Sequence, residues 1–135
     1  MLRKKPLIVS KKRKTSVARV LMKPGKGIIR INNMPLDIAI PEVPRAKIHE
    51  VLSLSGDDWK GIDFAARLQG GGIMGQADAL RMAIAEGLVK WTKNKKLRAL
   101  YIERFGKSLF WDSRRKESKK FGGPRARRRR QKSYR

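Results

Sequence analysis

Apolar side chains recur along this chain with two periods, and one gives way to the other within a few residues. From Ile62 to Gln69, Ile62, Phe64, Ala66 and Leu68 alternate with Asp63, Ala65, Arg67 and Gln69, which predicts a strand with one apolar and one wet face. Four glycines follow, Gly70, Gly71, Gly72 and Gly75. The spacing then becomes three and four: Ala77, Leu80, Ile84, Leu88 and Trp91 form the stripe of an amphipathic helix. Gln76 and Asp78 fall in its first turn, where acceptors and negative charge suit unpaired N–H groups.

Upstream, Thr15 to Met22 (TSVARVLM) predicts a strand, Pro24-Gly25-Lys26-Gly27 is turn chemistry, and Ile28 to Asn32 is the returning strand. Residues 16–32 therefore read as a β-hairpin. Asn32-Asn33-Met34-Pro35 turns the chain out, and Pro41 and Pro44 bracket the start of a short helix. Its apolar positions are Ile48, Val51, Leu52 and Leu54, and Gly56-Asp57-Asp58 ends it. After a polar break at Lys93 to Lys96, Leu97, Leu100, Tyr101 and Phe105 suggest a last short helix ending at Gly106. The order ββ-α-β-α-α predicts an α/β (α+β) domain of two layers, helices on one face of a small mixed sheet and the other face wet.

Charge changes the picture at both ends. The chain carries 35 Lys/Arg against 11 Asp/Glu, a net charge of +24. Residues 1–14 hold +7 of it, 15–111 another +7, and 112–135 the remaining +10. From Phe121 onward, FGGPRARRRRQKSYR contains nothing that builds a core and is expected to be disordered alone and extended when bound. The expected organisation is a basic N-terminal extension (1–14), a globular docking domain (15–106) and an extended basic tail (107–135). Self-repulsion on this scale opposes compaction unless a polyanion neutralises it, so the expected partner is RNA or DNA.

Other chemistries fall away. With no cysteine there is no disulfide framework and no zinc site built on thiolates. The single histidine, His49, lies between Lys47 and Glu50 and is expected to face solvent. Asp57 and Asp58 follow Gly56 and suit a turn better than a magnesium site, and no serine has a base and orienting acid to activate it. No catalytic site, metal or cofactor is expected. No segment approaches the ~20 apolar residues of a membrane span, and Pro6 to Val9 is too short for a secretory core. A soluble intracellular protein with no membrane partner is expected.

Gly70-Gly71-Gly72-Ile73-Met74-Gly75 fits G-x-G-x-x-G literally. A dinucleotide fold would precede it with a strand buried on both faces, and Lys95 and Lys96 stand where an acid should meet the ribose. Two readings remain: a structural hinge, or bare peptides and a helix start facing a nucleic-acid phosphate. Phe64 and Trp91 fall on buried faces; for Trp59, Trp111 and Phe121 stacking on a base stays open, with packing the expectation for Trp111 beside Phe110. Arg127 to Arg130 have no acid nearby and so no expected partner within the chain; their planar forks suit phosphate oxygens. Basic side chains spread along flexible ends suit irregular folded RNA, whereas duplex DNA is more often read by one rigid helix. A basic chromatin-type DNA-binding protein is the alternative. Both share a steep salt dependence: ~5–8 tail charges on phosphates give a log–log slope of about −3.5 to −6.

Four segments carry a family resemblance. Lys11-Lys12-Arg13-Lys14-Thr15-Ser16-Val17-Ala18-Arg19-Val20 resembles the basic K-S/T-S/A-V-A-R opening of the universal small-subunit ribosomal protein S-nine family. Gly70 to Ala77 resembles its G-G-G-x-x-G-Q-A segment, and Asp112 to Gly122 its D-x-R-x-x-E-x-K-K-x-G segment. The close, Gln131-Lys132-Ser133-Tyr134-Arg135, is similar to the family's and looks like the archaeal or eukaryotic branch. The resemblance implies a ribosomal protein S5 domain 2-like fold with a left-handed βαβ crossover. It also implies a structural, non-enzymatic place in the head of the cytoplasmic small subunit, among small-subunit rRNA and neighbouring ribosomal proteins, with the tail reaching peptidyl-site tRNA. The candidate rRNA contacts are Lys11, Lys12, Arg13, Lys14 and Arg19, then Gly70, Gly71, Gly72, Gly75 and Gln76. Arg114, Arg115, Lys119 and Lys120 follow, then Arg125, Arg127, Arg128, Arg129 and Arg130. Ser133, Tyr134 and Arg135 are the candidate tRNA contacts.

Overall fold

In the computed structural model, which describes residues 5–134, the chain runs through five strands and four α-helices among those residues. In order they are β1 (Leu7–Arg13), β2 (Ser16–Pro24), β3 (Ile29–Ile31), β4 (Met34–Pro35), α1 (Leu36–Ala39), α2 (Glu42–Leu54), β5 (Ile62–Gln69), α3 (Ile73–Thr92) and α4 (Lys95–Phe105), with a 3-10 turn at Lys107–Leu109. The strands form one mixed sheet in the order β1-β2-β5-β3-β4. Neighbours are antiparallel except β3 and β5, which are parallel.

Both periods are realised. On β5, Ile62, Phe64, Ala66 and Leu68 are buried, while Ala65, Arg67 and Gln69 are exposed on the other face. On β2, Ser16, Ala18, Val20 and Met22 point the same way. Against this apolar face lies α3, whose Ala77, Leu80, Ile84 and Leu88 are all buried. It packs on β1 and β2, with α2 and α4 beside it. Its small residues set the spacing: a Cβ on Gly87 would occupy the position of the Met22 sulfur. Ile48, Val51 and Leu52 of α2 complete the core, and Trp91 packs at its margin. Asn94 caps α4, its side-chain oxygen accepting from the N–H groups of Lys96 and Leu97.

The expected hairpin over 16–32 is not formed. β5 lies between β2 and β3, pairing Val17–Pro24 with Ile62–Gln69 on one side and Ile29–Ile31 on the other. The glycine-rich connection bridges over the end of β5, where Asp63 Oδ1 accepts from the N–H groups of Lys26 at 2.8 Å and Ile28 at 3.0 Å. Those backbone bonds hold the Asp63 carboxyl below the usual carboxylate range. Turn chemistry thus specified a change of direction but not which strand would lie alongside. The hairpin partner of β2 is β1, the segment expected to be a basic extension, and β1 forms the sheet edge.

The second face of the sheet is uncovered by any helix of the described residues. There Ser10, Arg19 and Arg67 stand in one row across β1, β2 and β5, so the two arginines face each other directly.

Tyr101 of α4 is fully buried, and its hydroxyl donates to the Val51 carbonyl of α2 at 2.9 Å. Burial pushes its phenol up to about 12 from 10.0. Tyr101→Phe should cost about 0.5–1.5 kcal/mol in urea unfolding. The folded phenol keeps its proton where the unfolded one has lost it. The unmodified chain should therefore lose stability, relative to Tyr101→Phe, as pH rises from about 10 towards 12, and show no such difference below.

Candidate nucleic-acid interface

Strand alternation sorts the basic run at residues 11–14. Lys11 and Arg13 face α3, while Lys12 is exposed and Lys14 lies at the β1–β2 turn with a positive φ of 55°. The Lys11 ammonium pairs with Glu86 of α3 and donates to the Phe110 carbonyl at 2.6 Å. Burial would raise the Glu86 carboxyl, but the Lys11 and Lys90 ammoniums outweigh it and hold it below its ordinary range. Arg13 Nη1 stands 2.7 Å from Asp112 Oδ2, and its Nε 4.0 Å from Asp78. Two of the five cations expected on RNA in this motif are thus engaged inside the fold. Lys12, Lys14 and Arg19 are exposed and make no ion pair among the described residues.

The glycine loop answers to shape. Gly70 and Gly71 hold φ of 73° and 65°, a region that other residues enter at a cost. They run close under the β1–β2 turn: a Cβ on Gly70 would stand 2.6 Å from the Thr15 carbonyl oxygen, and one on Gly71 would collide with the Ser16 hydroxyl. A Cβ on Gly75 would come within 2.8 Å of the same hydroxyl. Ser16 is buried, 1% exposed. The Gln76 side-chain amide donates to the Gly70 carbonyl at 3.0 Å and braces the loop. The space over Gly71 and Gly75 is therefore taken by the chain itself, while Gly72 is open. Asp78 is not in the first turn of α3 as expected: the helix already begins at Ile73, which leaves Asp78 beyond that turn, and it pairs with Lys47 of α2 at 2.9 Å.

The tail leaves the body at a fixed point. Leu109 and Phe110 are buried, with the Arg98 guanidinium 5.0 Å over the Phe110 ring. Trp111, expected to pack, is 69% exposed, since the chain turns away from the core after Phe110. The Asp112 side chain is only 6% exposed. Its Oδ1 accepts from the Arg114 N–H at 2.9 Å, its Oδ2 from Arg114 Nη2 at 3.0 Å, and Arg13 approaches from β1. The hydrogen bonds from Arg114, reinforced by the Arg13 charge, hold this carboxyl below the carboxylate range. Beyond it Arg114, Arg115, Lys119, Lys120, Arg125 and Arg127 to Arg130 are all exposed.

Four partnerless arginines are not observed. Arg127 Nε reaches Glu117 at 2.8 Å, and Lys120 reaches the same carboxylate at 3.3 Å. This is possible because the tail is not extended throughout: the Arg130 N–H donates to the Gly122 carbonyl at 3.2 Å and closes a loop after the Gly-Gly-Pro turn. Arg128, Arg129 and Arg130 make no ion pair among the described residues. Phe121 and Tyr134 are 99% and 88% exposed. Ser133 is exposed too, and Arg135 lies outside the described residues.

The family model described as ribosomal protein S9/S16 matches residues 11–135. The chain belongs to the ribosomal protein S9/S16 family. Relatives named small ribosomal subunit protein uS9 cover nearly the whole of it. The one from Methanothrix thermoacetophila is 46% identical over 126 residues, 93% of this chain and 96% of that protein. The one from Halobacterium salinarum is 48% identical over 128 residues, again 93% and 96%. That from Thermoplasma volcanium is 46% identical over 129 residues, 96% and 98%. S9/S16 proteins are structural components of the ribosome, not enzymes. Among the described residues no helix is long and apolar enough to cross a membrane.

In this S9/S16 chain the Asp112 cluster joins the first and third motifs, 99 residues apart. Asp112→Asn should free the tail root, and trypsin should cut after Arg114 or Arg115 about fivefold faster for each ~1 kcal/mol of easier opening. Because the Asp112 carboxyl is held low, the contribution of the cluster should be intact above pH ~4 and fade as pH falls below it. The Asn variant should show no such acid limb.

Proposed function

We propose that this chain is a structural rRNA-binding component of the small-subunit head in cytoplasmic ribosomes, and that its tail reaches peptidyl-site tRNA. The body, residues 15–106, docks on rRNA with Arg19 and with the open peptide at Gly72, and Lys12 and Lys14 of the basic N-terminal segment join them. The tail, residues 107–135, threads among sugar-phosphate strands, with Arg114, Arg115, Lys119, Lys120, Arg125 and Arg127 to Arg130 on phosphates. Ser133, Tyr134 and Arg135 meet the tRNA near the anticodon stem-loop. Neighbouring ribosomal proteins of the head complete the set of partners. The parallel β3–α2–β5 connection takes the left-handed sense of the ribosomal protein S5 domain 2-like fold, against the usual preference for right-handed crossovers.

The exposed cations of the tail carry this reading. Between residues 114 and 134 there are eleven Lys/Arg and a single acid, Glu117. No acid of residues 15–106 forms an ion pair with that segment among the described residues; Arg114 pairs with Asp112 at the tail root, and Lys120 and Arg127 pair with Glu117. Such a charge density is stable in an ordered state only against a polyanion. The weak Glu117–Arg127 pair would give way to phosphate, since exposed ion pairs contribute only about 0–1 kcal/mol.

Deleting residues 131–135 should leave incorporation into small subunits intact while weakening peptidyl-site tRNA binding and decoding accuracy. Sucrose-gradient sedimentation of tagged protein measures the first, and filter binding of tRNA to purified subunits the second. Unchanged tRNA affinity and fidelity would remove the tRNA role. Failure of the intact chain to sediment with small subunits would remove the ribosomal one.

A further inference from the structure

Between the edge strand β1 and the segment leaving the core at residues 110–115 runs a groove of about 260 Å³. That is below the roughly 300–1,000 Å³ of clefts that enclose a cofactor or drug-sized ligand. Its one large exposed aromatic is Trp111, 69% exposed between buried Phe110 and the buried carboxylate of Asp112.

Three anchors pin the backbone that carries this indole. The Phe110 carbonyl accepts from Lys11, the Trp111 N–H donates to the Lys107 carbonyl at 3.3 Å, and Asp112 is held by Arg13 and Arg114. A flat aromatic face held out from a pinned backbone is open to stacking by a planar partner. The charges around it say what that partner is. Lys11 and Arg114 are engaged by Glu86 and Asp112, whereas Lys12, Lys14 and Arg115 line the same groove with no ion pair among the described residues. A π-face flanked by uncompensated cations is the arrangement that takes an unstacked base and its adjoining phosphates.

We propose that this groove seats a single extruded rRNA nucleotide, its base stacked on Trp111 and its flanking phosphates on Lys12, Lys14 and Arg115. The site rests on the rRNA-binding role proposed above and gives the body a second kind of contact besides charge. Stacking accepts any base, so the site selects an unpaired nucleotide rather than a sequence.

Ultraviolet irradiation of small subunits containing the unaltered full chain, followed by digestion and mass spectrometry, should yield the Trp111 peptide bearing one nucleotide. Affinity of the full chain for small-subunit particles lacking it should fall about 5- to 100-fold for Trp111→Ala and Trp111→Leu at fixed salt. Trp111→Phe, which still stacks, should bind within about threefold of the original. A chain that sediments with the subunit but gives no nucleotide adduct, or is crosslinked at Trp111 to a neighbouring protein, overturns this site and leaves the rRNA-binding role standing. Full rescue by leucine also overturns it, since that indicates an ordinary apolar contact. A chain that does not sediment with subunits at all takes both down.

Discussion

The structure depends on what the inward cations of β1 find beneath them. An edge strand that turns Lys11 and Arg13 towards its own helix layer must supply anions there, because a half-buried cation without a partner is strongly destabilising. Glu86 comes from α3 and Asp112 from the chain after α4, so β1, the central helix and the root of the tail close one cluster. Removing one acid would leave a cation stranded, which costs more than the pair itself contributes. The same cluster divides the basic run into charges consumed by folding and charges left for a partner. Sequence alternation does that sorting: residues 11 and 13 turn inward, 12 and 14 outward.

A second constraint is steric and links distant segments by fit. The Ser16 side chain lies where any side chain on Gly71 or Gly75 would have to go. The motif strings at residues 11–20 and 70–77 are therefore two halves of one contact, and the helix start at Gly72 is aimed by the β1–β2 turn. This accounts for the glycines without a bound dinucleotide. It also leaves one peptide, at Gly72, bare enough for a strand of RNA to approach.

Periodicity made much of this legible. The period-two run over 62–69 is β5 residue for residue, and the helical stripe from Ala77 to Trp91 lies within α3. The last helix ends at Gly106 as its apolar spacing implied, although Leu100 is half exposed. What escaped was non-local. β1 was hidden because Lys11 and Arg13 make an inward face look polar; only acids contributed from 75 and 99 residues away reveal it as a strand. The 16–32 hairpin failed because a turn motif is silent about a strand inserted from 30 residues downstream. Arg127 gained a partner because Gly122-Gly123-Pro124 folds the tail back by ten residues, a distance that composition does not encode. Trp111 was placed in the core by its neighbour Phe110, whose burial in fact marks the last core position. The motif resemblance was confirmed across nearly the full length by the family match.

The row across the uncovered sheet face, Ser10–Arg19–Arg67, bears on how the free chain behaves. Like charges set directly opposite on adjacent strands oppose that pairing by up to about 1 kcal/mol, and no acid of the described residues forms an ion pair with either arginine. Any anion that lies across them relieves this repulsion in the folded state alone, so occupancy of the face and integrity of the sheet are thermodynamically linked. A negative group laid over Arg19 and Arg67 would thus tighten the join between β2 and β5 from outside the core.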